Sequence, residues 1–264
     1  MRLLAIDVGN TNISAGLFSD SGELEEAWKV PNSSEFWAEA ARRLGRRFNG
    51  IEAVGLSSVV KGLAEQLKSG LSEFFASCGL GRPPQVRVLT KDTRWPLPSA
   101  YKPGLGTDRM LAAIAASRLY GRPVIVVDIG SAVTVDFVDK EGVFRGGLIL
   151  AGAGMRLRAL AQFTSALPEI PIPDPEEPPP LIGTDTVSCM SAGVHHGLRQ
   201  EIQGLVRAIQ AQAAQEGAPE AAVALTGGGS RLFAKDCPEG WRLDPWLVLK
   251  GIYFVVVEEG SKDR

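Results

Sequence analysis

Cysteine is scarce in this 264-residue chain, which contains Cys78, Cys189 and Cys237 and no CxxC pair. Such a count argues against a disulfide framework and favours a reducing compartment over secretion. Long apolar runs are missing as well, because the run from Ile252 to Val257 is far shorter than the about 20 residues of a membrane-spanning helix. The first apolar run ends at Asp7, too early for a signal peptide. We therefore expect a cytoplasmic protein with no membrane partner.

Neither sign of charge is in excess, because 28 Lys and Arg residues are balanced by 30 Asp and Glu residues, for a formal net charge of −2. Nucleic-acid-binding proteins usually carry a basic surplus, so we expect no nucleic-acid partner. Hydrophobic residues make up 45% of the chain and charged residues 22%, which excludes a mainly disordered chain and a mainly coiled-coil structure. The length fits one large domain or two modest ones.

Three common catalytic signatures are missing. No GxxxxGK[ST] string occurs, which excludes a P-loop, and no GxSxG string occurs, which excludes that type of nucleophile turn. His195 and His196 are adjacent but have no further metal-ligating residues at zinc spacing, so they favour an ordinary helix face over a metal site.

The chain does contain one short pattern twice. Residues 5–9 and 126–130 both have two apolar residues, an aspartate, an apolar residue and a glycine, at an offset of 121 residues. In each copy a second strand, a turn with Gly22 or Gly142 and a third strand are predicted to follow. The short string alone is common, but the shared strand–turn–strand context indicates a duplicated domain.

The string from Asp7 to Asn12 is the most informative one. A carboxylate at the end of a buried strand can bind Mg²⁺ through water, and backbone N–H groups around Gly9 to Thr11 can meet phosphate oxygens. An ordinary hairpin turn is the alternative. The second copy at Asp128 favours a nucleotide site, because two such turns from duplicated halves can grip a nucleotide from both sides.

A glycine cluster, Thr226 to Ser230, follows the predicted strand Ala222 to Leu225. A base or ribose can lie against bare backbone there, and a plain loop is an equally good interpretation. Residues 168–180 contain seven prolines, which excludes a helix and favours a stiff extended arm over a lid.

The segment from Tyr101 to Arg109 opens a predicted helix that runs to Tyr120. Asp108 falls in its first turn, where the helix dipole favours negative charge, so a role confined to the helix end is one interpretation. The other is catalytic: Asp108 takes a hydroxyl proton while Arg109 holds an acidic substrate bidentately.

With these strings in view, the chain resembles type III pantothenate kinases, a family of the sugar kinase, Hsp70 and actin-like superfamily. The resemblance covers almost the whole length. The strings that resemble the family's motifs are Asp7 to Thr11 (DxGNT), Gly106 to Arg109 (GxDR), Asp128 to Ala132 (DxGTA), Gly146 to Gly152 (GGxIxPG) and Gly183 to Thr186 (GxNT).

The resemblance implies an α/β fold made of duplicated RNase H-like (actin-like ATPase) domains, each with a mixed five-stranded sheet, and a nucleotide cleft between them. The two copies would be residues 1–118 and 119–264. It also implies a homodimer in which the partner closes part of the substrate pocket.

The activity implied by the resemblance is the ATP-dependent phosphorylation of pantothenate to 4′-phosphopantothenate, the entry to coenzyme A. Asp108 would be the general base. The other pantothenate-binding residues would be Tyr101, Gly106, Thr107, Arg109 and Thr186. The residues that would hold ATP phosphates and Mg²⁺ are Asp7 (through water to Mg²⁺), Val8, Gly9, Asn10, Thr11, Asn12, Ile13 and Ser14. Ser131 matches a threonine that contacts ATP, and Asp128 matches the ligand of an activating monovalent cation, K⁺ or NH₄⁺.

The chain departs from the family pattern at Ser131 (usually Thr), Ala151 (usually Pro) and Asp185 (usually Asn). None of these changes removes a chemical role. Two other functions remain as alternatives: a non-catalytic regulatory relative that binds nucleotide, and an actin-like ATPase switch, although such switches are usually longer. The joint presence of Asp7, Asp108, Arg109 and Asp128 favours the kinase, because a pure binding module has no need of a base.

Overall fold

The computed structural model describes residues 1–33, 35–44, 50–60, 63–77, 83–174 and 177–262. Contacts divide the chain into two compact units. The first contains residues 1–97, 102–115 and 246–264, and the second contains residues 98–101 and 116–245. Among the described helices, none has both the length and the apolarity needed to span a membrane.

The first unit contains one five-stranded sheet. Its strands are β1 (Leu3–Val8), β2 (Asn12–Phe18), β3 (Leu24–Pro31), β4 (Ala53–Ser58) and β5 (Gln85–Leu89). The strand order is β3-β2-β1-β4-β5. The first three strands pair antiparallel, whereas β4 and β5 join in parallel, so the sheet is mixed.

The second unit contains the matching sheet. Its strands are β6 (Val124–Ile129), β7 (Ala132–Val138), β8 (Phe144–Ala151), β9 (Ala222–Thr226) and β10 (Trp241–Leu243). Read from β8, the order is β8-β7-β6-β9-β10, with the same sequence of antiparallel and parallel pairs. The predicted duplication and the mixed five-stranded sheets are therefore confirmed.

Six α-helices are described in addition to a 3₁₀ turn at Gly228–Phe233. They are α1 (Glu35–Leu44), α2 (Leu63–Ser77), α3 (Thr107–Tyr120), α4 (Ala153–Phe163), α5 (Thr186–Gln215) and α6 (Leu247–Lys262). The helix predicted to end at Tyr120 is confirmed. The Pro-rich segment contains no helix or strand at its described residues, 168–174 and 177–180, as its composition predicts.

Each sheet has its own apolar core. In the first unit, alternate residues Leu4, Ile6 and Val8 of β1 pack with Phe36 of α1 and Phe75 of α2. In the second unit, Ile125 and Val127 of β6 pack with Leu198, Ile202 and Val206, which lie one turn apart along α5. The strand period of two and the helix period near four produce these faces.

The C-terminal helix α6 packs on β1, β2 and β4 of the first sheet. Its Tyr253 ring stacks on Phe18 with the ring centroids 4.7 Å apart. The compact units therefore differ at this end from the predicted copies 1–118 and 119–264, which follow the sequence repeat. The sequence repeat does not account for α6, which lies in the predicted second copy but packs on the sheet of the first unit. The boundaries 1–118 and 119–264 stay a prediction.

Within the first unit, α6 also approaches α3 closely at Gly251, where a Cβ would collide with the backbone of Leu111. We expect Gly251→Ala to destabilise the protein by about 1–3 kcal/mol, because the backbone of a packed helix cannot shift far enough to relieve the collision. The matched control is Gly204→Ala in α5, where a Cβ meets nothing within 4 Å. There alanine should stabilise by about 0.5–1 kcal/mol through helix propensity. Urea midpoints measure both changes, and a Gly251→Ala midpoint at or above that of the parent would contradict the expectation.

Candidate active site

The predicted phosphate loop lies at the end of β1. Asp7 is partly buried, and Asn10 and Thr11 are exposed in the turn that leads into β2. The Gly9 N–H donates to the Asn12 carbonyl at 2.9 Å. The Gly9 N–H therefore already has an acceptor inside the turn. Fewer of the backbone N–H groups predicted to meet phosphate are then available for it.

The turn is held by Asn32, a residue that the sequence analysis missed. The Asn32 side-chain amide donates to the Gly9 carbonyl at 3.0 Å, and its backbone N–H donates to the Thr11 carbonyl at 2.9 Å. Asn32 follows the last residue of β3, and only the pairing of β2 with β3 brings it to the loop. No local signal in the sequence identifies it.

Two of the predicted nucleotide-binding residues are core residues. The side chains of Val8 and Ile13 are 0% and 2% exposed, and they belong to the apolar cluster of the first sheet. Any contact of these two residues with a nucleotide would have to come from their backbone.

A row of polar side chains crosses three strand ends in each unit. Ser57 of β4, Asp7 of β1 and Ser14 of β2 are direct partners in the first sheet. Their counterparts in the second sheet are Thr226 of β9, Asp128 of β6 and Thr134 of β7. Each aspartate therefore has a hydroxyl residue on both sides in the sheet. The two aspartates and Ser14 were predicted from the sequence as site residues, but this pattern was not, because β4 and β9 lie far along the chain.

The first turn of α3 carries the predicted substrate-binding residues of the first unit. Thr107 begins the helix and is buried, Asp108 is partly buried and Arg109 is 8% exposed. One Asp108 carboxylate oxygen accepts the backbone N–H of Arg109 at 2.9 Å. A Cβ on Gly106 would collide with that same carboxylate oxygen, so the glycine leaves room for Asp108 to fold back over the start of the helix.

In the second unit, Asp128 lies against the predicted glycine cluster. A Cβ on Gly227, whose φ is +82°, would collide with an Asp128 carboxylate oxygen. A positive φ and this close approach both require glycine. Ser230 closes the cluster by donating from its hydroxyl to the Gly227 carbonyl at 2.7 Å. The structure therefore brings the glycine cluster and the second aspartate together, although the sequence analysis left a plain loop open.

The second turn also contains Ser131, which is exposed. Its carbonyl accepts the N–H of Gly152 at 3.2 Å, which joins the turn to the end of β8. The turn is one residue shorter than its counterpart, because Asp7 pairs with Ser14 whereas Asp128 pairs with Thr134.

Tyr101 is held beside β8 in the second unit. The Ala100 N–H donates to the Phe144 carbonyl, and the Phe144 N–H donates to the Pro98 carbonyl, each at 2.9 Å. The Tyr101 ring meets Phe144 edge-on with the centroids 6.1 Å apart, and it is 38% exposed. Tyr101 is therefore anchored against β8 while part of its side chain stays exposed.

Thr186 is the exposed first residue of α5, and Asp185 caps that helix. An Asp185 carboxylate oxygen accepts the Ser188 N–H at 3.0 Å, and the Ser188 hydroxyl donates to the other oxygen at 2.8 Å. These hydrogen bonds lower the pKa of Asp185. Aspartate and asparagine are comparable N-caps, so the departure from the family's asparagine leaves the helix start intact.

No described group of three or more His, Cys, Asp or Glu residues could hold a metal ion. His195 and His196 lie in α5, as predicted; burial lowers the pKa of His195, and the His196 Nε2 atom lies 2.8 Å from the Pro179 carbonyl oxygen. Thr134 Oγ1 is buried beside Asp128 and has no hydrogen-bond partner among the described residues. Both side chains offer oxygen atoms, which suit a hard cation better than a soft transition metal.

Comparisons with known proteins agree with this architecture. The type III pantothenate kinase family model matches residues 3–208. A type III pantothenate kinase from Moorella thermoacetica is 34% identical over 261 residues, covering 96% of this chain and 98% of that protein.

Solved structures match the fold at low identity. A Baf family transcriptional activator from Campylobacter jejuni superposes with a TM-score of 0.59 at 18% identity, covering 98% of this chain and 99% of the other. Component A of the Acidaminococcus fermentans (R)-2-hydroxyglutaryl-CoA dehydratase superposes with a TM-score of 0.51 at 16% identity, covering 98% and 97%. These two likenesses support the fold alone. The family match and the relative's identity over nearly the whole of both chains place this chain in the type III pantothenate kinase family.

Proposed function

We propose that this protein transfers the γ-phosphoryl group of ATP to the primary hydroxyl of pantothenate, forming 4′-phosphopantothenate and ADP. The observation that carries the proposal is the start of α3, where Gly106 leaves room for the carboxylate of Asp108 directly beside the buried Arg109. A carboxylate in that position can take the proton of a substrate hydroxyl, and a nucleotide-binding module without chemistry needs no such base. Membership of the family agrees with the same activity.

Asp108 acts as the general base in this proposal. It accepts the proton of the pantothenate hydroxyl as the oxygen bonds to the γ-phosphorus, and the bond from phosphorus to the bridging oxygen of ADP breaks. Arg109 meets the pantothenate carboxylate, since a guanidinium forms two parallel hydrogen bonds with a planar acid. The remaining positioning residues are Tyr101, Gly106, Thr107 and Thr186.

The phosphates of ATP are assigned to the turn from Asp7 to Ser14 and to Ser131. Asp7 would hold Mg²⁺ through water, which fits a single carboxylate at a strand end, because Mg²⁺ keeps several of its waters. When bound, the ion neutralises charge that develops on the transferred phosphoryl group. Asp128 and the Thr134 hydroxyl would hold the monovalent cation, which supplies positive charge near the second turn.

We also propose a homodimer in the cytoplasm. The second unit exposes large apolar side chains at Phe163, Ile172, Leu181 and Ile182, with Phe163 and Ile182 about four-fifths exposed. All four lie within 20 residues of the chain, and large apolar side chains that stay exposed in number are typical of interaction surfaces. A second copy of the chain is the proposed occupant, and a solution mass of 28.1 kDa, that of a single chain, would contradict it. Cys189 and Cys237 are both free thiols, which suits a reducing compartment.

A coupled assay of ADP release, run with and without pantothenate, tests the function. We expect turnover that depends on pantothenate and a phosphorylated product of the matching mass. ATP turnover that is independent of pantothenate would instead support an ATPase switch. Nucleotide binding without any turnover would support the non-catalytic relative.

Arg109→Lys is expected to raise the KM for pantothenate about tenfold or more with a smaller change in kcat, because an ammonium cannot reproduce the planar fork of a guanidinium on a carboxylate. The matched control is Arg94→Lys, which changes an exposed arginine of the same unit. Initial rates at varied pantothenate concentration measure the effect. An unchanged KM in Arg109→Lys would rule out carboxylate recognition by this residue.

A further inference from the structure

Ser57 is a fully buried polar residue at the end of β4. Its side chain is 0% exposed, and it is the direct strand partner of Asp7. A buried hydroxyl is unfavourable unless it is hydrogen-bonded. The Ser57 hydroxyl meets this condition with the hydroxyl of Thr107, at an Oγ–Oγ1 distance of 3.1 Å.

This hydrogen bond joins two parts of the proposed site that are 50 residues apart in sequence. On one side is the strand end adjacent to Asp7, and on the other is the first residue of α3. Asp108 follows Thr107 directly, so the bond fixes the start of the helix that carries the proposed base. Both partners belong to the first compact unit.

The neighbouring serine makes a different contact. The Ser58 hydroxyl donates to the Val60 carbonyl at 3.2 Å and accepts the Val60 N–H at 3.1 Å, a local turn two residues long. Ser58 therefore shares the chemistry of Ser57 and its place at the end of β4, but its hydrogen bonds with Val60 are local and do not reach α3. It provides a matched control for the loss of one hydroxyl.

We infer that Ser57 is a positioning residue for catalysis: through Thr107 it sets the distance between the phosphate-binding strand end at Asp7 and the Asp108 carboxylate. The inference rests on the proposed function, because it requires Asp108 to be the base. Its distinctive consequence is a loss in kcat, since small misplacement of a reacting group slows the chemical step while leaving substrate contacts in place.

The test compares Ser57→Ala with Ser58→Ala, with thermal unfolding recorded for both. We expect Ser57→Ala to lower kcat roughly 10–100-fold with KM values for ATP and pantothenate within about threefold of the parent. Ser58→Ala should retain kcat within about twofold. Equal kcat values in Ser57→Ala and Ser58→Ala would overturn the inference, whether both are normal or both are reduced.

A double-mutant cycle between Ser57 and Thr107 supplies a second test, because it measures the coupling of the two residues rather than the loss in either variant alone. Thr107→Val keeps the shape of the side chain, removes the hydroxyl that bonds Ser57 and should lower kcat. Adding Ser57→Ala to Thr107→Val should lower kcat little further, because the same bond is already lost. Fully additive losses would overturn the inference.

Asp108→Asn, measured in the same series, tests the proposed base separately from the positioning role of Ser57. Near-normal turnover in Asp108→Asn would overturn the proposed base and the positioning role with it. Lost turnover in Asp108→Asn together with normal turnover in Ser57→Ala would overturn the positioning role alone.

Discussion

Asp108→Asn should lower kcat by roughly 10²–10⁴-fold and leave the unfolding midpoint close to that of the parent. Asparagine has nearly the same shape, and its side-chain oxygen can still accept the Arg109 N–H that an Asp108 oxygen accepts now. It cannot take a proton from the pantothenate hydroxyl. Because phosphoryl transfer passes through a loose transition state in which the proton leaves late, the loss should fall toward the smaller end of the range.

The measurement is kcat from steady-state ADP release, with Asp92→Asn as control. Asp92 is an exposed aspartate in the same unit, so it tests the loss of one negative charge without the proposed role. Turnover of Asp108→Asn within a few-fold of Asp92→Asn would identify Asp108 as a residue that serves only the helix end.

The duplicated architecture was predictable because its strongest signal is local. An apolar strand that ends in Asp-x-Gly, followed by a hairpin with a turn glycine, occurs twice in the sequence. In the structure Gly22 and Gly142 have φ values of +86° and +82°, so both turns use the left-handed conformation that favours glycine. The resemblance implied mixed five-stranded sheets, but the order of the strands was not predicted, since strand pairing across long loops leaves no local pattern.

Two of the residues that were not predicted from the sequence, Asn32 and Ser57, act through partners that are remote in the chain. Asn32 supports the phosphate turn from 23 residues away, and Ser57 meets Thr107 from 50 residues away. Thr134 lies near Asp128 in sequence, but its place beside that carboxylate depends on the shorter second turn. Serine, threonine and asparagine are common in loops and turns, so their type alone does not distinguish them.

The position of α6 could not be predicted from the sequence repeat. A repeat in the sequence predicts two equal halves, but a terminal helix packs where its apolar face finds a partner. The Tyr253 ring on Phe18 and the close approach of Gly251 to Leu111 both hold α6 in the first unit. Packing of this kind depends on the shape of the surface that receives the helix, which only the folded chain provides.

The two strand-end aspartates occupy equivalent positions but have different surroundings. Asp7 precedes the exposed Asn10 and Thr11, a polar turn suited to triphosphate and hydrated Mg²⁺. Asp128 lies against Gly227 and beside the buried Thr134 hydroxyl, and its shorter turn leads into Ala132 and Val133, which offer no polar side chain. Mg²⁺ keeps several waters that need polar partners, so in the proposed function the second turn, which has fewer polar side chains, would suit K⁺ or NH₄⁺ better.

From this difference we expect Asp7→Asn to abolish turnover at every salt composition, a loss of roughly 10³-fold or more, because the carboxylate that orders the Mg²⁺ waters is gone. Asp128→Asn should instead blunt activation by K⁺ while nucleotide binding largely survives. The measurement is initial rate against K⁺ concentration for the parent and both variants, with Na⁺ holding the ionic strength constant.

Thermal unfolding with and without K⁺ gives a readout apart from activity, since an ion that binds the folded state raises its melting temperature. That rise should be present in the parent and in Asp7→Asn and lost in Asp128→Asn. A parent whose rate and melting temperature both ignore K⁺ and NH₄⁺ would contradict the cation role, and Asp128 would then be a second carboxylate for Mg²⁺ or for a positioned water.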